Sequence, residues 1–212
     1  MKIENHNEDF TFLCLNSKKV KVLVVGGGTA ALVKAKSLLK KGFLLECISP
    51  EFKREFFDIN SKNLKLINGE FQDGFIEHYH VIVICTNNEI LNQQIRELCD
   101  KKCKIYIDTT MPEESVATLC AMESTREVAI GVRLKGKSPK TSQLLVRKIK
   151  EYVTTYDDYI SFVTKLRGNI KHNPNKLEIL EFVSSEDFLF FFERSYGEEI
   201  FNLFYGGDSI EF

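Results

Sequence analysis

The sequence predicts an α/β fold: a Rossmann-type doubly wound parallel sheet, then a small antiparallel region and a helical C-terminal domain. Three observations predict it. Short, continuously apolar runs alternate with helical patterns through the first half of the chain, as strands buried on both faces do. A glycine cluster, Gly26-Gly27-Gly28, stands where the first apolar run passes into the first helical pattern. Beyond Pro139, helical signals dominate to the end.

Taken in order, "KVLVVG" reads as the first strand and "TAALVKAKSLLKKG" as a helix closed by Gly42. "FLLECIS" is the second strand, followed by a polar, helix-like segment from Pro50 and a weaker third strand, "LKLING". "HVIVICT", the amphipathic "NEILNQQIRELCDKK" and "KIYIDTT" supply strand, helix and strand. The pattern then changes: "SVATLCAMES" and "EVAIGVRL" read as an antiparallel pair around Ser124 and Arg126. Ser138 and Pro139 open the next helix, as a cap and a first-turn proline. These shifts divide the chain into a dinucleotide-binding domain over 1–112, a strand pair with a basic helix over 113–150, and a Phe-rich helical domain over 151–212.

Composition narrows the function classes. With 212 residues, 43% hydrophobic and 28% charged, the chain reads as globular. A net charge of −1 gives no global field toward nucleic acid or membrane, and no apolar run approaches a bilayer span. The polar start "MKIENHNEDF" is unlike a secretory signal, so a cytoplasmic protein is expected. Six cysteines and four histidines show no metal-ligand spacing, and no metal site is expected. Charge is partitioned: residues 133–150 carry seven bases and no acid, whereas 151–212 carry twelve acids, five bases and 14 of the 24 Phe and Tyr residues. Such an aromatic segment must pack on its own chain or on a partner.

Gly26, Gly28 and Ala31 fit G-x-G-x-x-G/A between a strand and a helix. There the bare main chain of residues 26–28 admits a pyrophosphate to the helix N-terminus. The second strand ends in Ser49 and Pro50, followed by Glu51; Glu46 lies mid-strand, and Lys53 and Arg54 follow. The acid expected to bind a ribose is therefore not cleanly present, and NAD against NADP stays open. Thr86, Asn87 and Asn88 follow the fourth strand, where a ligand crevice is expected, or they begin the next helix. Asp108 ends the fifth strand as a general base or as a cap for its own backbone.

These residues carry a resemblance to the siroheme-synthase dehydrogenase domain, the NAD-dependent precorrin-2 dehydrogenase family. It rests on "VLVVGGGTAALVKAKSLLKKG" with Lys34, "VIVICTNNEILNQQI" with Asn92, "IYIDTT", and "EVAIGVRLKGKSPKTSQLLVRKIKEYV". The resemblance implies oxidation of precorrin-2 to sirohydrochlorin with NAD as hydride acceptor, and in some members insertion of ferrous iron as a second substrate. It implies Asp108 as proton acceptor, NAD contacts at Thr29, Ala30, Pro50 and Glu51, and a homodimer. Precorrin-2 carries eight carboxylates, which makes Arg126, Arg133, Lys135, Lys137 and Lys140 candidate substrate ligands. Departures fall on the tetrapyrrole side: Ile105 stands where the family usually has Asn, and two extra residues separate Asp108 from the run at Ala117. A nucleotide-sensing or tetrapyrrole-binding module without the chemistry is the alternative.

Overall fold

The computed structural model describes residues 11–136 and 138–206. Two compact units make up the chain, divided between Leu119 and Cys120. The first contains a parallel five-stranded sheet of order β3-β2-β1-β4-β5. Its elements are β1 (Lys21–Val25), α1 (Thr29–Lys40), β2 (Leu44–Ser49), β3 (Leu64–Asn68), β4 (Val81–Ile84), α2 (Glu89–Lys101) and β5 (Ile105–Asp108). Where the sequence reading expects a helix-like segment after Pro50, there is a bend and one 3-10 turn, Arg54–Phe56. Within residues 50–63, which join β2 to β3, that single turn is enough to bury Phe56.

Alternation explains why the strands read as unbroken apolar runs. In β4, Val81 and Val83 join a core with Ala31, Ala35 and Leu38 of α1, whereas Ile82 and Ile84 join Ile95 and Cys99 of α2. Both faces of the sheet are covered, so its central strand positions are selected for apolarity. Burial pushes the Cys47 and Cys99 thiols up to about 12, which makes them core atoms and not nucleophiles.

The second unit holds a two-stranded antiparallel sheet, β6 (Ala121–Ser124) with β7 (Ala129–Val132), and helices α3 (Pro139–Val153), α4 (Asp157–Asn169), α5 (Lys176–Val183), α6 (Glu186–Phe192) and α7 (Gly197–Tyr205). β6 is shorter than the run from Ser115 predicts: residues 115–119 are irregular, and the amide of Ala117 donates to the Tyr106 carbonyl in the first unit. α3 packs on β6 and β7 and passes through a 3-10 turn, Thr154–Tyr156, into α4. The basic helix and the Phe-rich helices therefore share one unit, without a break at residue 150. Asp157 at the start of α4 accepts bonds from the Thr125 hydroxyl (2.6 Å) and the amides of Arg126 (3.1 Å) and Glu127 (3.2 Å), tying the β6–β7 turn to the helix. The aromatic tail packs on itself: Phe162 lies 5.8 Å from Phe188, 5.3 Å from Phe192 and 6.2 Å from Phe201, ring centre to ring centre.

Candidate dinucleotide site and the carboxylate beside it

The strand order reverses between β1 and β4, and a crevice opens there beyond the strand carboxyl ends. Its volume is about 1140 Å³. Gly26, Gly27, Gly28, Thr29, Ala30, Ser49, Pro50, Glu51, Thr86 and Asn87 all line it, so the ten candidate cofactor contacts converge. Lys53, which follows the second strand, lines it too, as do Phe52, Phe71, Cys85, Leu91 and Gln94, to which no spacing rule points.

Each glycine has its own reason. Gly26 has a φ of 123°, and a Cβ there would lie 2.6 Å from the Cys85 carbonyl oxygen. A Cβ on Gly27 would meet the Glu51 carbonyl oxygen at 2.0 Å, and the Gly27 carbonyl accepts from the Lys53 amide at 3.0 Å. The middle glycine, a free position in the motif, is thus the tightest of the three. Around Gly28 a Cβ would touch nothing within 4 Å, so the space beside it is open. Gly28 caps α1 with no side-chain bond, and the first turn has no acid. First-turn amides have no acceptor within their own helix, and with the positive end of the helix they suit a pyrophosphate there. Ala31 is fully buried, as close helix-to-sheet packing requires.

The ends of the other strands are equally defined. Glu46 is engaged by the Tyr79 hydroxyl (2.9 Å) and Lys65 (3.2 Å) within the sheet, away from a ribose-binding role. Asn88 caps α2, its side chain accepting from the Leu91 amide at 3.1 Å, whereas Asn87 stands free of the helix in the crevice wall. His80 accepts the Lys21 amide through Nδ1, a structural bond.

Asp108 closes β5 on the α2 side of the sheet, and its side chain is wholly covered. One oxygen pairs with Arg96; the other accepts from the Thr110 amide (2.8 Å), the Thr110 hydroxyl (2.7 Å) and the Met111 amide (3.2 Å). Burial alone would raise its pKa, but the bonds from Thr110, Arg96 and Met111 outweigh it and hold the carboxyl below the usual range. It does not line the crevice. The carboxylate therefore acts as base and cap at once only if its neighbours carry a proton to it.

Comparison with known proteins gives the family. The family model described as "Putative NAD(P)-binding" matches residues 13–121. A relative named "Putative precorrin-2 dehydrogenase", from Methanocaldococcus jannaschii, is 30% identical over 173 residues, covering 77% of this chain and 82% of the relative. The chain belongs to the precorrin-2 dehydrogenase family. A siroheme synthase of Photorhabdus laumondii is 28% identical over 131 residues, covering 61% of this chain and 28% of its own length. Another, from Pseudomonas fluorescens, is 23% identical over 165 residues, with 36% of its length covered, so the chain spans only a part of these siroheme synthases. The solved structure of SirC, precorrin-2 dehydrogenase, shares the fold, with a TM-score of 0.64 and 21% identity over 92% of this chain and 98% of that one.

Within this precorrin-2 dehydrogenase family member, the surroundings of Asp108 are the part that sequence reading misses. Arg96, Thr110, Met111 and Ser115 surround it, and the Asp108 amide donates to the Ser115 hydroxyl at 2.7 Å. One signal was available: Asn92 and Arg96 are four apart on α2, polar residues on a shared face, and Asn92 is 1% exposed. The candidate tetrapyrrole ligands lie in the second unit. Arg126 is held by Asp158 (2.8 Å) and Glu127 (3.2 Å), Arg133 donates to the Leu134 carbonyl, and Lys135 and Lys140 are exposed. Lys137 lies outside the described residues. Among the described residues, no group of three or more His, Cys, Asp or Glu could hold a metal, and no helix is long and apolar enough to cross a membrane.

Proposed function

We propose that this chain is an NAD-dependent dehydrogenase that oxidises precorrin-2 to sirohydrochlorin. The observation that carries the reading is the open space at Gly28, on an uncapped helix N-terminus at the switch point of the sheet. Family membership supplies the substrate. Gly26 to Ala30 would hold the diphosphate, the loop from Ser49 to Glu51 the adenosine half, and Thr86 with Asn87 the approach to the nicotinamide. Bound NAD supplies the hydride acceptor. The chain's own contribution is to orient the tetrapyrrole and remove a proton, and Asp108 is the proposed acceptor, kept ionised by Arg96 and Thr110. Arg126, Arg133, Lys135, Lys137 and Lys140 are proposed to meet substrate carboxylates. We further propose a homodimer, since Met122, Leu144, Leu145 and Ile149 of the second unit leave apolar side chains exposed.

A catalytically silent nucleotide-binding module is the second reading, favoured by one observation: the Asp108 carboxylate is wholly covered. Incubating the protein with precorrin-2 and NAD separates the two. NADH formation, with the absorption bands shifting to those of sirohydrochlorin, is expected; NAD binding without NADH would leave the silent module. Replacing Asp108 by Ala should lower turnover at least about a hundredfold, the scale of a lost general base. Ferrous iron in a parallel reaction reads whether the product is also metallated.

A further inference from the structure

A hydrogen-bond chain connects the crevice wall to the covered carboxylate. Thr86 Oγ1 donates to Asn92 Oδ1, and Asn92 Nδ2 donates to the Thr86 carbonyl (3.1 Å) and to Thr110 Oγ1 (3.3 Å). Thr110 Oγ1 in turn donates to Asp108 Oδ1 at 2.7 Å. Asp108 is 1% exposed, yet Thr110, two residues on, is an exposed residue.

A threonine hydroxyl has one proton and two lone pairs. Here the proton is committed to Asp108 and one lone pair to Asn92. Among the described residues no donor meets the second lone pair, on an exposed residue whose hydroxyl is already bonded to a carboxylate. We propose that Thr110 is a catalytic residue that relays the substrate proton to Asp108. The inference rests on the dehydrogenase reading and deepens it.

The tetrapyrrole loses a hydride to the nicotinamide of NAD and a proton to Thr110 Oγ1. In the same movement the hydroxyl's original proton passes to Asp108 Oδ1, so threonine is regenerated and the carboxylate becomes the acid. That proton later returns through Thr110 to water. A threonine hydroxyl is too weak a base to act alone, so transfer to the carboxylate must accompany acceptance from the substrate. The other groups set against Asp108 suit this. Arg96 on α2 keeps it ionised, Met111 and Ser115 fix the turn, and the Cys85 thiol at the end of β4 is pushed up to about 11 by burial and stays neutral.

The test uses the full chain and its Thr110→Val and Thr110→Ser variants. NADH formation from precorrin-2 should fall about a hundredfold in Thr110→Val and largely return in Thr110→Ser, which keeps the hydroxyl. NAD binding by calorimetry should be the same in all three. In the coenzyme-free protein, the Asp108 carboxyl carbon should titrate at higher pH in Thr110→Val, because a bond to its ionised form is gone. Native-like turnover of Thr110→Val, equal losses in both variants, or an unmoved Asp108 titration would each overturn the relay. A native chain that binds NAD but forms no NADH would overturn the dehydrogenase reading and the relay together.

Discussion

One added carbon separates two neighbouring glycines. Gly27→Ala would place a methyl 2.0 Å from the Glu51 oxygen, so the loop must move, at a cost of about 1–3 kcal/mol. A lowered thermal midpoint checks this. Gly28→Ala meets nothing, so its midpoint should match the native one while NAD affinity by calorimetry drops at least about tenfold. Asp108 predicts a pH dependence. Its folded pKa lies below its unfolded one, so its stabilisation is present above the ordinary carboxylate pKa of about 3.9 and lost as pH falls through the folded value. Urea titrations should show that acid loss in the native chain and a smaller one in Asp108→Asn. At this scale the sequence is half legible. The outer glycines and Asp108 announce themselves by spacing, but the constraint on Gly27 and the grip of Arg96 come from segments remote in sequence, which no local pattern encodes.

Elements were read most surely where burial repeats. The strands β1, β2, β4 and β5 bury apolar residues on both faces, Glu46 of β2 apart, and fall where the runs predict them. β3 has half-buried positions, hence its weaker signal. The segment after Pro50 reads as a helix because its polar residues suit one, whereas residues 50–63 form only the single turn Arg54–Phe56. In the second unit one carboxylate holds two elements together. Asp157 is 7% exposed, and its bonds from Thr125, Arg126 and Glu127 serve the turn between β6 and β7. Asp157→Ala should lower the urea midpoint, since three donors of the turn lose their shared acceptor.

For the whole molecule, the charge partition and the aromatic tail suggested a boundary near residue 150, yet packing sets it at 119. Composition reports what is exposed and what is sticky; only contacts report which elements share a core. The Phe-rich helices have their own core, centred on Leu166, Ile179, Phe188 and Phe201. Phe188→Ala should therefore destabilise that unit by about 3–5 kcal/mol and leave NAD affinity in the first unit unchanged, as melting and calorimetry can show. Within the first unit, the Lys53 amide bonds to the Gly27 carbonyl, and any Cβ on Gly27 would meet the Glu51 carbonyl. Altering residues 51 to 53 to switch coenzyme preference would thus disturb the proposed diphosphate site as well. On the proposed site, selectivity and affinity become mechanically one property, and a redesign of either must start by rebuilding the corner they share.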